Sequence, residues 1–159
     1  MKRIFAFVFT LGLFAVASVL MAQTNTQIGI WTLNVAKSKY VNLAPPKSET
    51  RTIVAQGDGA KVSIDGVAAD GSRIAYSYTT NYDGKDSPLI GAGRPNGEEV
   101  AAIKRVDANT LVSTSKKGDK VVLTTRFVVS KDRKTMTITS EGTNERGRAT
   151  SSTSVWEKQ

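Results

Sequence analysis

Fourteen carboxylates stand in this 159-residue chain, with neither histidine nor cysteine. Their absence removes the Ser-His-Asp and Cys-His nucleophile systems, the imidazole base, disulfides, and zinc, haem or iron–sulfur sites built on those ligands. Carboxylate chemistry remains. A glycosidase needs two acids facing one cleft about 5–9.5 Å apart, with their pKa values pushed apart. Most of the carboxylates, Asp58, Asp70, Asp83, Glu98 and Asp119 among them, fall in or beside turn sequences, where Asp is favoured for its local hydrogen bonds and stays solvated. Glu49, Glu141 and Glu157 lie near strand ends. No facing pair is indicated, so the chain reads as non-catalytic.

Two loops resemble ligand motifs and miss their requirements. The run Asn81-Tyr82-Asp83-Gly84-Lys85-Asp86 echoes a calcium loop, but Lys85 would repel the ion and the closing Glu is missing. In Gly91-Ala92-Gly93-Arg94-Pro95-Asn96-Gly97 the last glycine is one residue too far along for a dinucleotide fingerprint. Proline also stands where a helix should start. The first is expected to be a hairpin turn and the second a flexible loop at one end of the fold. No metal or cofactor site is indicated.

The elements that carry these residues are strands. Val-, Ile- and Thr-rich runs recur every 8–12 residues or so, separated by Asp-Gly and Asn-Gly turns that supply the positive φ angles of tight hairpins. Ten strands are expected, near 29–34, 50–56, 61–65, 73–82, 89–91, 100–106, 111–116, 120–130, 135–142 and 149–157. Ala36–Tyr40 reads as one helical turn stopped by Pro45-Pro46. Alternation puts Ile74, Tyr76, Tyr78 and Tyr82 on one face, and Val121, Leu123, Thr125, Phe127 and Val129 on another. Short hairpins linking about ten strands predict an all-β fold, an antiparallel up-and-down β-barrel, which also removes exposed sheet edges.

A cationic start, Lys2-Arg3, precedes 18 uncharged residues from Ile4 to Met21 and the small Ala22. These are the three parts of a signal-peptide helix, against an uncleaved anchor at the lower end of the ~17–25-residue spanning range. Cleavage after Ala22 is expected, with Ala15-Val16-Ala17 as the second site. The expected organisation is a signal peptide over 1–22 and a single barrel domain over 23–159, in the periplasm or secreted. Losing Lys2 and Arg3 lowers the net charge from +8 to +6. The remaining basic residues of the C-terminal half sit at successive turns and should divide between the two rims of a barrel.

Both ends of the expected barrel carry a family resemblance. Gly29-Ile30-Trp31-Thr32-Leu33 resembles the G-x-W opening strand of lipocalins and fatty-acid-binding proteins, and Thr153-Ser154-Val155-Trp156-Glu157-Lys158 resembles the closing strand of the latter. The resemblance implies a calycin-type barrel with Trp31 as its floor. The whole chain is also similar to small exported bacterial proteins with no assigned activity. It departs from the fatty-acid binders in two respects. The roughly 14 residues from Asn34 to Lys47 are too few and too proline-broken for a two-helix lid. The Arg-x-Tyr pair that holds a carboxylate reads Ser154 and Trp156, which offer no charge.

Two functions follow. In one, the barrel is hollow and non-catalytic. Tyr76, Tyr78, Tyr82 and Trp156 would then line a cavity for a small neutral or aromatic hydrophobic ligand, with Ser152 and Ser154 offering hydroxyls. In the other, side chains fill the barrel and a basic rim meets an anionic envelope lipid or polysaccharide. Cavity volume separates the two, with ~300 Å³ as the threshold. Nucleic acid is not an expected partner, since a leader exports the chain away from it, and a monomer is expected. Lys104, Arg105 and Arg126 are the basic residues expected well inside strands, with Arg126 pointing to solvent. An interior without a cation should disfavour fatty acids.

Overall fold

A computed structural model describes residues 25–159; the expected leader lies outside them. The described residues form eleven antiparallel strands and no helix. These are β1 (Gly29–Val41), β2 (Ser48–Gln56), β3 (Gly59–Val67), β4 (Arg73–Thr80), β5 (Asp83–Pro88), β6 (Ile90–Ala92), β7 (Val100–Arg105), β8 (Thr110–Lys117), β9 (Lys120–Val129), β10 (Thr135–Thr143) and β11 (Ala149–Lys158). They make one sheet in the order β5-β7-β8-β9-β10-β11-β1-β2-β3-β4-β6. β5 pairs with β7 and β6 pairs with β4, with only Leu89 between them. This one continuous stretch therefore holds both edges of the sheet and brings the barrel nearly to closure.

The expected up-and-down barrel is the observed one, with three local differences. Ala36–Tyr40 is not a helical turn; it continues β1, which shifts register against β11 between Asn34 and Lys39. Ser38 Oγ sits at that irregularity, donating to Asn34 O at 2.7 Å and accepting from Val155 N at 3.0 Å. Asp83-Gly84, read as a turn, opens β5. In β9 a second shift opposite Ser115 and Lys116 breaks the alternation. Val122 turns inward at 8% exposure, and Val121 is left half exposed on the outside. A bulge adds one residue to one strand, and every side chain before it changes face.

The closed end is built from the segment leading into β1. Trp31 is fully buried and donates from Nε1 to Gln27 O at 2.8 Å. Thr26 Oγ1 donates to Ala108 O at 2.8 Å, and Asn25 Nδ2 donates to Tyr82 Oη at 2.8 Å. Residues 25–28 thus cross beneath the barrel and are tied to its far side, with Trp31 above them. At the opposite end the loops after β1, β3, β6, β8 and β10 surround an open mouth. The basic turns divide as expected: Lys117, Lys120, Arg146 and Arg148 lie at the mouth, and Lys131, Arg133 and Lys134 at the closed end.

Candidate ligand-binding cavity

Between mouth and floor lies a cavity of about 450 Å³. Four of the strands that line it carry small hydroxyl residues on their inward rows: Ser113 and Ser115 on β8, Thr125 on β9, Ser140 on β10, and Ser152 and Ser154 on β11. A large side chain at these positions would fill the interior; Ser and Thr leave it open and polar. The apolar part of the wall comes from Ile74, Leu123, Phe127, Ile138 and Trp156, with Leu43, Pro46 and Leu89 at the mouth.

Tyr76, Tyr78, Ser152, Ser154 and Trp156 all line this space, as their strand alternation requires. Tyr82 does not. β4 ends at Thr80, and Tyr82 takes a left-handed φ of 58° that carries its ring off the inward row. It packs at the closed end instead, under the guanidinium of Arg105 at 4.5 Å from the ring centroid, so it is a structural residue of the floor. The Ser154 hydroxyl is spent within the wall, donating to Ile138 O at 3.3 Å and accepting from Trp156 Nε1 at 2.9 Å. That pair fixes the Trp156 indole against the cavity.

The cavity also holds charges that the sequence patterns did not indicate. Arg51, on β2, is only 8% exposed and faces the interior. Its guanidinium carbon lies 5.3 Å from the Trp156 ring centroid and 5.6 Å from that of Phe127, and Nη1 donates to Tyr78 Oη at 3.4 Å. Nε is buried without a partner. Burial opposes its charge, but the oxygens of Tyr78 and Tyr76 and the Glu49 carboxylate together hold its pKa above the ordinary value. The interior therefore has a cation, contrary to the expectation that Lys104, Arg105 and Arg126 were the only candidates. Arg126 is exposed as expected, and Arg105 serves the floor.

Two carboxylates share the cavity wall. Glu49, two residues before Arg51 on the same face of β2, has its pKa raised by burial and only partly restored by the Arg51 charge. Glu98, expected to be solvated in a turn, is 3% exposed. It accepts from Asn96 N at 3.3 Å and Asn96 Nδ2 at 3.4 Å, and burial raises its pKa as well. The loop expected to be flexible is thus pinned by this buried Asn96–Glu98 pair and by Arg94 Nη1, which donates to Leu89 O at 3.2 Å and Gly91 O at 2.6 Å. Burial is what raises the Glu49 pKa, with the Arg51 charge opposing it.

A zebrafish ileal bile acid-binding protein, solved in complex with cholic acid, is similar in structure over 84% of this chain and 99% of its own, at 12% identity and a TM-score of 0.51. The likeness is one of fold, a nearly closed antiparallel up-and-down barrel. No protein-family model matches the chain, and no curated protein matches it in sequence. The barrel has Trp31 fully buried in its first strand, and loops rim its mouth, with no helix among the described residues. Its polar group on β2, Arg51 with Glu49, was overlooked for a definable reason. Ile53 and Val54 are adjacent apolar residues, so the alternation of β2 does not say which face is inward. The paired register of Trp31 with Arg51 is what decides it.

Proposed function

We propose that the protein is an exported, non-catalytic carrier that binds a small hydrophobic ligand inside the barrel. The cavity of about 450 Å³ carries this reading, since it exceeds the ~300 Å³ expected of a ligand pocket and its wall combines aromatic rings with a few polar groups. Similarity to a barrel solved with cholic acid supports the same reading at the level of fold. The filled-barrel alternative requires an interior occupied by side chains, and the cavity argues against it. An aromatic or alicyclic skeleton suits the faces of Phe127, Trp156, Tyr76 and Tyr78.

Titration with N-phenyl-1-naphthylamine, a neutral aromatic probe that brightens in apolar surroundings, tests the proposal. Saturable one-to-one binding, weakened by Trp156→Ala, is the expected result. The absence of saturable binding by the folded protein would overturn it.

A further inference from the structure

Arg51 and Glu49 do not satisfy each other. The Arg51 nitrogens lie beyond 4.0 Å of every carboxylate oxygen among the described residues, and Nε has no partner at all. Glu49 is influenced by burial and by the Arg51 charge and accepts no hydrogen bond that offsets either. Both project from the same face of β2, two residues apart, a separation of about 6.6 Å along a strand. A buried guanidinium and a half-buried carboxylate that face one space without touching are costly unless something completes their hydrogen bonds.

The formal charge of the lining narrows what that partner is. Arg51 and Arg94 contribute two cations, and Glu49 and Glu98 two anions, with the exposed Asp70 out at the mouth. An anionic head beside Arg51 would also meet Glu49, and a cationic head beside Glu49 would meet Arg51. Each would be desolvated against a like charge. A neutral head that offers an acceptor on one side and a donor on the other meets no such penalty. A carboxamide has this form: its oxygen accepts from the guanidinium and its N–H donates to the carboxylate.

On the reading of the barrel as a hollow carrier, we infer that its ligand is a neutral amphipath with a carboxamide-type head held between Glu49 and Arg51. The apolar body lies along Trp156 and Phe127, and the Tyr76 and Tyr78 hydroxyls flank the head. Both of these tyrosines line the same cavity. This polar group sits on the second strand, whereas the carboxylate site of the resembled fatty-acid binders belongs to the last.

Competition against bound N-phenyl-1-naphthylamine at pH 7.5 by decanamide, decanoate and decylamine tests the inference. Decanamide should displace the probe at a concentration about tenfold or more below either charged analogue. Glu49→Gln should reduce the preference for amide over acid by about tenfold, and Arg51→Met should reduce the preference for amide over amine by a similar factor. Each preference is a ratio taken within one protein, so any change in the affinity of a variant for the naphthylamine cancels. Tightest binding of decanoate or decylamine to the wild type would overturn the inference, as would preferences that neither substitution changes. If the naphthylamine itself fails to bind, the carrier reading falls and the inference with it, a result distinct from probe binding without amide preference.

Discussion

Arg51 lies over the indole of Trp156, its guanidinium carbon 5.3 Å from the ring centroid, in the wall of a cavity where neither residue meets bulk water freely. The contact joins β2 to β11 through side chains, across the intervening β1. A guanidinium is weakly hydrated and planar, so it tolerates such a position better than an ammonium would. The ring face offsets part of the desolvation cost, about 0.5–2 kcal/mol for a favourable cation–π pair.

That contact adds to the Tyr78, Tyr76 and Glu49 oxygens, which together outweigh burial and favour the charge. Arg51→Met, which keeps much of the side-chain volume, removes that charge and leaves Glu49 without the cation that lowers its pKa, so thermal stability should fall at neutral pH. Scanning calorimetry of the two proteins measures it. An unchanged or raised melting temperature would mean that desolvation of the guanidinium outweighs its contacts.

Trp31 and Trp156 are both buried, yet they should respond differently to truncation. Trp31 is fully buried above the 25–28 segment, so Trp31→Ala opens a new void and should cost ~3–5 kcal/mol. Trp156 borders a space that already exists, so Trp156→Ala enlarges it and frees Ser154 to relax, at a smaller cost. Denaturant melts of the two variants give the comparison. Equal, small losses would mean that Trp31 is not the floor of the barrel.

The readable parts of this fold were those where side-chain type and strand period agree. Tyr76 and Tyr78 alternate with Ala75, Ser77 and Thr79, and the same row faces inward in the structure. Tyr82 continues that row on paper, but the chain leaves β4 before reaching it. The second half of β1 was missed because Ala36-Lys37-Ser38-Lys39-Tyr40 has no alternation to read. Its pairing is imposed by β11 through residues more than a hundred positions away. Arg51 and Glu49 were missed because binary patterning assigns charge to the outside, and functional cavities are where that rule is broken.

Export gives a prediction at the other end of the chain. On the proposed export, recovery from the periplasm or medium of an exporting host should yield a protein that begins at or near Gln23, since Lys2-Arg3, the uncharged run and Ala22 match the three parts of a cleavable leader. N-terminal sequencing decides it. An intact Met1 in the membrane fraction would instead mark the run as an anchor.

The last prediction concerns pH and has a defined sign. Burial raises the Glu49 pKa above its ordinary value of 4.5, so its charged form is less favourable in the folded protein than in the unfolded chain. A raised carboxyl contributes stability that is fully present below the unfolded pKa and is lost as pH rises through the folded one. The titratable and charged groups that share the cavity with Glu49 are Tyr40 from β1, Arg51 from β2, Asp70 from the loop after β3, Tyr76 and Tyr78 from β4, and Arg94 and Glu98 from the loop before β7. Tyr40 and Tyr76, both raised by burial, stay neutral and Arg51 stays charged throughout the acid and neutral range. Glu98, itself raised, titrates in both proteins and so cancels in a comparison of variants. Glu49→Gln has no such titration. Its melting temperature should match that of the wild type near pH 3, where Glu49 is protonated, and exceed it increasingly as pH rises past 4.5. The exposed carboxylates whose pKa values are lowered, Asp132 and Glu157 among them, lose stability toward acid equally in both proteins. The difference between the two melting curves therefore isolates Glu49. A difference that is constant with pH would mean that folding does not shift Glu49, and one that grows toward acid would place its carboxylate in an environment that favours its charge.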